Sequence, residues 1–164
     1  MTDYASELQA GIAAVRRAAR LCQTVQRSIT ADALEKKDKS PVTIADFGSQ
    51  AIVCKAIGEA FPDDPIVGEE DSAELKEPGN EAFLTRILEE LSAVGLSGSP
   101  EDACLWIDRG GWNGEGMPGE RFWTLDPIDG TKGFLRGQQY AISLAMIENG
   151  QIAAAIVGCP NLPL

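Results

Sequence analysis

The sequence of 164 residues contains no histidine. This absence excludes catalytic triads built on histidine, zinc sites with histidine ligands and acid–base catalysis by an imidazole ring. The four cysteines form no Cys-x-x-Cys pair and lie far apart, at Cys22, Cys54, Cys104 and Cys159. Their spacing favours thiols packed in the core of a protein from a reducing compartment, rather than a disulfide framework or a metal knuckle.

Positive charge is scarce. The 14 lysines and arginines are outnumbered by 25 aspartates and glutamates, which gives a formal net charge of −11 at pH 7. We therefore expect no binding to a nucleic-acid backbone through bulk charge, because neutralising phosphates requires clustered basic residues. If the protein binds a phosphate group, a divalent cation held by carboxylates is a suitable source of positive potential.

Long hydrophobic runs are also absent. The longest apolar stretches, about six to eight residues, are far shorter than the roughly 20 that cross a bilayer. The N-terminus lacks the apolar core of a signal peptide, and Asp3 and Glu7 are unlike a transit peptide. We expect no membrane contact and a cytoplasmic location. The composition, 44% hydrophobic, and the length fit a single globular domain over residues 1–164.

The spacing of apolar residues predicts a mixture of helices and strands. The first predicted helix has an apolar stripe at Leu8, Ile12, Val15, Ala19 and Cys22. A second begins with a capping box at Thr43 and Asp46 and is ended by Pro62, and a third begins after Asn80. Its inward-facing residues are predicted to be Phe83, Leu84, Ile87, Leu88 and Leu91.

Short apolar runs predict strands at residues 65–68, 104–108, 122–125, 140–147 and 152–157. Asn149-Gly150 predicts a type I′ hairpin turn between the last two strands. The polar residues 30–39 predict a loop, and the glycine-rich residues 109–120 predict a flexible loop or lid. This order of elements favours an α+β fold over a regular βαβ array.

An acidic pair follows the predicted strand at 122–125. Asp126 and Asp129 are three residues apart, and Pro127 fixes the backbone between them. Both carboxylates can reach one hard cation, with the Ile128 carbonyl as a further oxygen, and such oxygen ligands suit Mg²⁺. Glu69-Glu70 ends another short strand and could come from the neighbouring edge. Two or more cations among these carboxylates would make a site for in-line phosphoryl hydrolysis.

Each acidic group also has an ordinary structural interpretation. Asp126 and Asp129 suit an Asx-type turn where proline and glycine interrupt a strand. The acids at 69–71 suit a solvated loop, and Asp46 suits a helix-capping acid. The run 126–131 also invites comparison with Asp-x-Asp-x-Thr phosphatases that form an aspartyl-phosphate, but its aspartates are three positions apart instead of two.

Residues 123–134, Trp-Thr-Leu-Asp-Pro-Ile-Asp-Gly-Thr-Lys-Gly-Phe, closely resemble the signature of the lithium-sensitive, magnesium-dependent phosphatases related to inositol monophosphatase. Residues 66–71 resemble the acidic strand end of that family, and residues 39–46 resemble its earlier helix start. The resemblance implies the N-terminal half of that family's layered α/β sandwich. Residues 131–141 and 158–163 further resemble the 3′(2′),5′-bisphosphate nucleotidase branch, which removes the 3′-phosphate of phosphoadenosine phosphate to leave AMP.

The resemblance also implies a role for each signature residue. Two or more Mg²⁺ ions would be held by Glu69, Asp126, the Ile128 carbonyl and Asp129. Asp46 and Thr131 would orient and deprotonate the attacking water. The backbone amides of Gly130 and Thr131 would face the substrate phosphate. Lys132 would contact the substrate or remain solvated.

One expected part of the family pattern is missing. The Trp-Asp-x-Ala-type motif that carries the remaining aspartate ligand does not occur, so we expect an N-terminal portion whose C-terminal half is absent. The expected function is magnesium-dependent hydrolysis of a small phosphorylated nucleotide. Three alternatives stay open: an inositol phosphate or sugar phosphate phosphatase, an inactive metal-binding or phosphate-binding remnant, and a chain that forms a homo-oligomer or pairs with a separate second half.

Overall fold

The computed structural model describes residues 4–29, 40–114 and 121–163. Its helices are α1 (Ala5–Arg27), α2 (Ser40–Ala60), α3 (Glu81–Ala93), α4 (Pro100–Asp108) and α5 (Thr131–Leu135), with a short 3-10 helix at Glu74–Lys76. Its strands are β1 (Ile66–Val67), β2 (Arg121–Asp129), β3 (Ala141–Glu148) and β4 (Gln151–Gly158). The loop predicted at 30–39 and the part of the glycine-rich loop at 115–120 lie outside the described residues.

The strands form one mixed sheet in the order β1-β2-β3-β4. β1 runs parallel to β2, with Ile66 opposite Trp123, whereas β2, β3 and β4 are joined by antiparallel pairing. The predicted hairpin turn between β3 and β4 is confirmed, because Asn149 and Gly150 have φ values of 52° and 74°, as a type I′ turn requires. The α+β class is therefore confirmed.

Helix α2 is the centre of the helical layer. It packs against α1, α3 and α4 and contacts β2, while α1 packs on β3 and β4. Phe47, Ala51, Cys54 and Ile57 of α2 are buried in the core. Burial on several sides explains why α2 is apolar around most of its circumference. None of the helices within the described ranges is long and apolar enough to span a membrane.

The apolar stripe predicted for α1 is only partly right. Val15 and Cys22 are buried, but Leu8 and Ile12 remain 37% and 39% exposed. The helix instead approaches the sheet through Gly11, where an added Cβ would lie 2.7 Å from Ile156 Cδ1. A close approach of helix to strand therefore selects a small residue, and the larger apolar side chains turn towards solvent.

The strand predicted at residues 104–108 is wrong, because these residues form the end of α4. The Ser99 hydroxyl accepts a hydrogen bond from Asp102 N, the Asp102 carboxylate accepts one from Ser99 N, and Pro100 occupies the first turn. This capping box starts a helix. Cys104 and Ile107 then share its buried face. Periodicity alone does not distinguish a helix from a strand in so short an apolar run.

Two predicted helix starts also need correction. α2 begins at Ser40, so Thr43 and Asp46 lie within the helix and do not form a capping box. α3 begins after Asn80 as predicted, but the Asn80 side chain donates to the Glu74 carbonyl oxygen at 2.7 Å instead of capping the helix. Of the inward-facing residues predicted for α3, Ile87 and Leu91 are fully buried and the others are partly buried.

The cysteines are mostly core thiols, as predicted. Cys22, Cys54 and Cys104 are buried and free. Burial raises the pKa of the Cys54 thiol to about 12, which keeps it protonated and unreactive at neutral pH. Cys159 is exposed, so the prediction of a core position is wrong for this residue.

Candidate active site

The acidic ends of two strands meet at one edge of the sheet. β1 and β2 are parallel and Val67 pairs with Thr124, so Glu69 and Asp126, each two residues further along, reach the same level. Parallel strands place their carboxyl ends on the same side. The Glu69 carboxylate is near enough to Asp126 to act on its pKa.

β2 leaves the regular ladder at its acidic end. The pairing of β2 with β3 shifts register between Asp126 and Asp129. Asp126 Oδ1 accepts a hydrogen bond from Ile128 N at 3.1 Å, so the Asx-type turn considered for this segment is present. The Ser49 hydroxyl on α2 donates to the Pro127 carbonyl oxygen at 3.1 Å. The irregular segment is thus tied to α2 and presents Asp129 to solvent.

Asp46 extends from α2 towards these strand ends. Burial and, to a smaller extent, the negative charges of Glu70, Glu69 and Asp126 together raise its pKa to about 8. Because Asp46 lies within α2 and among other carboxylates, its interpretation as a helix-capping acid is wrong. Carboxylates from three separate segments therefore face one another.

We call Asp46, Glu69, Glu70, Asp126 and Asp129 the acidic cluster. Burial raises the pKa of Glu70, and Glu69, Asp71 and Glu74 add to the shift. Burial likewise raises the pKa of Asp126, with contributions from Glu69 and Asp129. Across residues 4–29, 40–114 and 121–163, the ion pairs all lie elsewhere and no lysine or arginine neutralises the cluster. The cluster is electrostatically suited to a divalent cation.

The donor set fits Mg²⁺ better than a softer metal. The predicted ligands are all oxygen atoms, of carboxylates and of the Ile128 carbonyl that follows Pro127. In the described part of the chain, no group of three or more Asp, Glu, Cys or His side chains is arranged so that it could hold a metal ion by itself. Such an open arrangement is compatible with Mg²⁺, which retains several waters and is usually held by one or two carboxylates together with substrate phosphates.

Helix α5 begins directly after Asp129 and Gly130. Gly130 has a φ of 94°, and α5 starts at Thr131, with the side chains of Thr131 and Lys132 exposed. α5 contacts α2, which carries Asp46. Among the described residues, however, Asp46 and Thr131 share no hydrogen bond. The structure brings the predicted metal ligands and Asp46 into one region and leaves Thr131 beside it.

Sequence reasoning missed the residues that hold the acidic cluster in place. Gln50 is fully buried, and its amide binds the backbone of both Glu69 and Glu70. Asp108 accepts hydrogen bonds from the backbone N–H (2.8 Å) and hydroxyl (2.7 Å) of Ser72, just beyond the acidic segment. One signal was available for Gln50, because it lies four residues after Asp46 and therefore on the same helix face.

Comparisons with known proteins identify the family of this chain. The pattern of the inositol monophosphatase family matches residues 1–163. The 3′(2′),5′-bisphosphate nucleotidase of Schizosaccharomyces pombe is 50% identical over 98% of this chain and 49% of its own length. Bisphosphate nucleotidase 1 of Arabidopsis thaliana is 45% identical over 98% of this chain and 48% of its own length. The chain thus spans about half the length of these curated relatives.

A crystal structure supports the fold. CysQ from Bacteroides thetaiotaomicron, a bacterial member of the inositol monophosphatase family, aligns with a TM-score of 0.50 and 20% identity over 94% of this chain and 42% of that chain. At this identity the likeness concerns the fold alone. Since the family pattern extends over almost every residue and the acidic signature segments lie together in space, this chain belongs to the inositol monophosphatase family.

Proposed function

We propose that the chain forms the acidic, metal-binding portion of a magnesium-dependent phosphomonoesterase. Its reaction would be hydrolysis of the 3′-phosphate of 3′-phosphoadenosine 5′-phosphate to AMP and phosphate. The observation that carries this proposal is the crowding of carboxylates from α2, β1 and β2 at one sheet edge with no neutralising side chain among the described residues. The nucleotidase relatives, at 45–50% identity, support the substrate class.

The acidic cluster would perform two tasks. Glu69, Asp126, the Ile128 carbonyl and Asp129 would hold the cations. Bound Mg²⁺ would supply positive charge to the phosphoryl oxygens and lower the pKa of the attacking water. Asp46 would accept the proton of that water, because it lies at the edge of the ligand set. The Thr131 hydroxyl, at the start of the adjacent α5, would orient the water for in-line attack.

The start of α5 would receive the substrate phosphate. The backbone amides of Gly130 and Thr131 directly follow the last predicted metal ligand, Asp129. Lys132 is exposed beside them and would contact the substrate from the solvent side. This arrangement would place phosphate oxygens between cations on one side and backbone donors on the other, so that charge developing in the transition state is stabilised from both.

The proposal is tested by measuring how fast the chain releases phosphate from 3′-phosphoadenosine 5′-phosphate in the presence of Mg²⁺. We expect release that chelation abolishes and that is faster than release from inositol 1-phosphate. Asp46→Asn is expected to lose activity by at least about 100-fold, the usual scale for a general base. Asp63→Asn changes an exposed acid outside the cluster and serves as the matched control.

The same assay separates the alternatives. Bound Mg²⁺ without phosphate release would favour the inactive metal-binding interpretation. Faster release from inositol 1-phosphate would favour the sugar-phosphate alternative. Calorimetry that detects no Mg²⁺ uptake by the chain at millimolar concentration would overturn the proposal itself.

A further inference from the structure

We propose that Gln50 is a positioning residue that sets the distance between Asp46 and the acidic segment Glu69–Glu70, and thereby the affinity of the acidic cluster for a divalent cation. This inference rests on the proposed function, since it concerns the same metal-binding cluster. Gln50 touches none of the reacting groups. It would act through the backbone of the acidic segment.

The Gln50 amide uses its full hydrogen-bonding capacity. Nε2 donates to the Glu70 carbonyl oxygen at 2.6 Å and to the Ile107 carbonyl oxygen at 3.0 Å. Oε1 accepts from the backbone N–H groups of Glu69 and Glu70, both at 3.0 Å. Two donors and two acceptor lone pairs are all that a side-chain amide offers. One side chain therefore joins α2 to the acidic segment and to the end of α4.

Two glycines leave space for this amide. A Cβ added at Gly68 would lie 2.5 Å from Gln50 Oε1, and one added at Gly110 would lie 2.9 Å from Gln50 Nε2. The two glycines are themselves joined, because Gly68 N donates to the Gly110 carbonyl oxygen at 2.7 Å. Gln50 is thus enclosed in a slot of backbone atoms, with 0% of its surface exposed. A longer, shorter or differently shaped side chain cannot make the same contacts there.

The slot connects directly to the acidic cluster. Asp46 and Gln50 are four residues apart on α2, so both side chains leave the helix on one face. β1, which leads into Glu69, pairs with β2 over only two residues. Pairing over two residues fixes the position of Glu69 only in part, so other contacts must also hold it in place. The four hydrogen bonds of Gln50 supply contacts of this kind to the two residues that carry the acids.

Titration of the chain with Mn²⁺, read from the electron paramagnetic resonance signal of the free ion, tests the inference. Gln50→Met keeps the length and volume of the side chain and removes all four hydrogen bonds. We expect it to raise the Kd for Mn²⁺ at least fivefold. In hydrogen exchange, we expect the amides of Glu69 and Glu70 to exchange at least tenfold faster than in the unchanged chain.

Gln26→Met is the matched control. Gln26 is a second buried glutamine whose Nε2 donates to two backbone carbonyls, at Phe134 and Gln138, but on α1 and away from the acidic segment. Its replacement removes a similar set of buried hydrogen bonds, so both variants are expected to lose stability. We expect the Kd for Mn²⁺ in Gln26→Met to change less than twofold, with the Glu69 and Glu70 amides unaffected.

The outcomes separate this inference from the proposed function. Equal shifts of Kd in the two variants, or wild-type exchange rates at Glu69 and Glu70 in Gln50→Met, would overturn the positioning role. If the unchanged chain takes up no Mn²⁺, the proposed function fails, and the exchange rates alone then decide whether Gln50 fixes the acidic segment. If Gln50→Met does not fold, Gln50→Asn keeps an amide that is one methylene too short, and wild-type Mn²⁺ affinity in that variant would equally overturn the inference.

Discussion

Ser49 donates its hydroxyl hydrogen to the Pro127 carbonyl oxygen at 3.1 Å, and both groups are buried. This contact fastens the irregular end of β2 to α2, next to Gln50, which fastens the end of β1. Adjacent residues of one helix therefore hold the two acidic strand ends. The relative placement of the carboxylates is set from the helical layer as well as from the sheet.

Ser49→Ala is expected to lower the free energy of unfolding by about 1–2 kcal/mol, because it leaves the buried Pro127 carbonyl without its donor. Urea denaturation followed by circular dichroism measures this loss. Ser92→Ala removes an exposed hydroxyl and is expected to stay within about 0.5 kcal/mol of the unchanged chain. Equal effects of the two substitutions would contradict the role assigned to Ser49.

The metal-free chain is expected to lose stability as the pH rises from 5.5 to 8.5. The pKa of Asp46 is raised from 3.8 to about 8 in the folded state, so between these values the folded chain binds a proton that the unfolded chain has released. Stability then falls with increasing pH. Acids with lowered pKa, such as Glu7, lose their contribution only below this window.

Urea unfolding in EDTA at the two pH values checks this prediction. We expect a loss of at least about 1.4 kcal/mol, the equivalent of one pKa unit. The loss should shrink in Asp46→Asn and in the presence of Mg²⁺. Stability that rises over this range would show that Asp46 is ionised throughout.

Asp126→Asn is expected to have opposite effects on stability and on metal affinity. The amide keeps an oxygen that accepts from Ile128 N, so the turn is preserved. Removing one repelling charge should stabilise the metal-free chain at pH 8 by about 1 kcal/mol. The Kd for Mn²⁺ should rise at least tenfold. Thermal unfolding with and without Mn²⁺ measures both effects, with Asp63→Asn as the control. A variant that is less stable without metal would argue against crowding of the carboxylates.

Arg121→Met is expected to cost about 2–3 kcal/mol of stability, because it leaves the buried Glu7 and the half-buried Asp64 without their cationic partner. Arg121 binds Glu7 of α1 through Nη1 at 2.8 Å and Asp64 through Nε at 2.7 Å. Its guanidinium also lies 5.0 Å from the centre of the Phe61 ring. Denaturation measures the loss. Lys76→Met breaks an exposed pair with Asp108 and should cost less than about 1 kcal/mol.

Predictions from sequence succeeded where the chemistry is local. The hairpin turn follows from Asn149-Gly150, whose residues tolerate positive φ. The acidic strand ends follow from apolar runs that stop at carboxylates, at Glu69 and at Asp126. These features depend on a few neighbouring residues, so their pattern carries the information.

Predictions failed where distant residues decide. The side of α1 that packs on the sheet is determined by the close approach of Gly11 to Ile156 on β4. The spacing of apolar residues within α1 does not reveal this contact. The strand wrongly predicted at 104–108 is an exception, because the capping box at Ser99 that starts a helix there is a local signal in the sequence. The enclosure of Gln50 could not be predicted, because Gly68 and Gly110, which surround its amide, lie far from it along the chain.

Because β1 is so short, the position of the acidic cluster depends on residues outside the sheet. Pairing over two residues does not by itself prevent a slip in register, so substitutions that shift the buried part of α2 would also displace the acidic cluster. The same residues of α2 would then determine both the packing of the core and the placement of the acidic residues. A homologue that replaced Gln50 would need a different backbone around Gly68 and Gly110 to keep its acidic residues in the same positions.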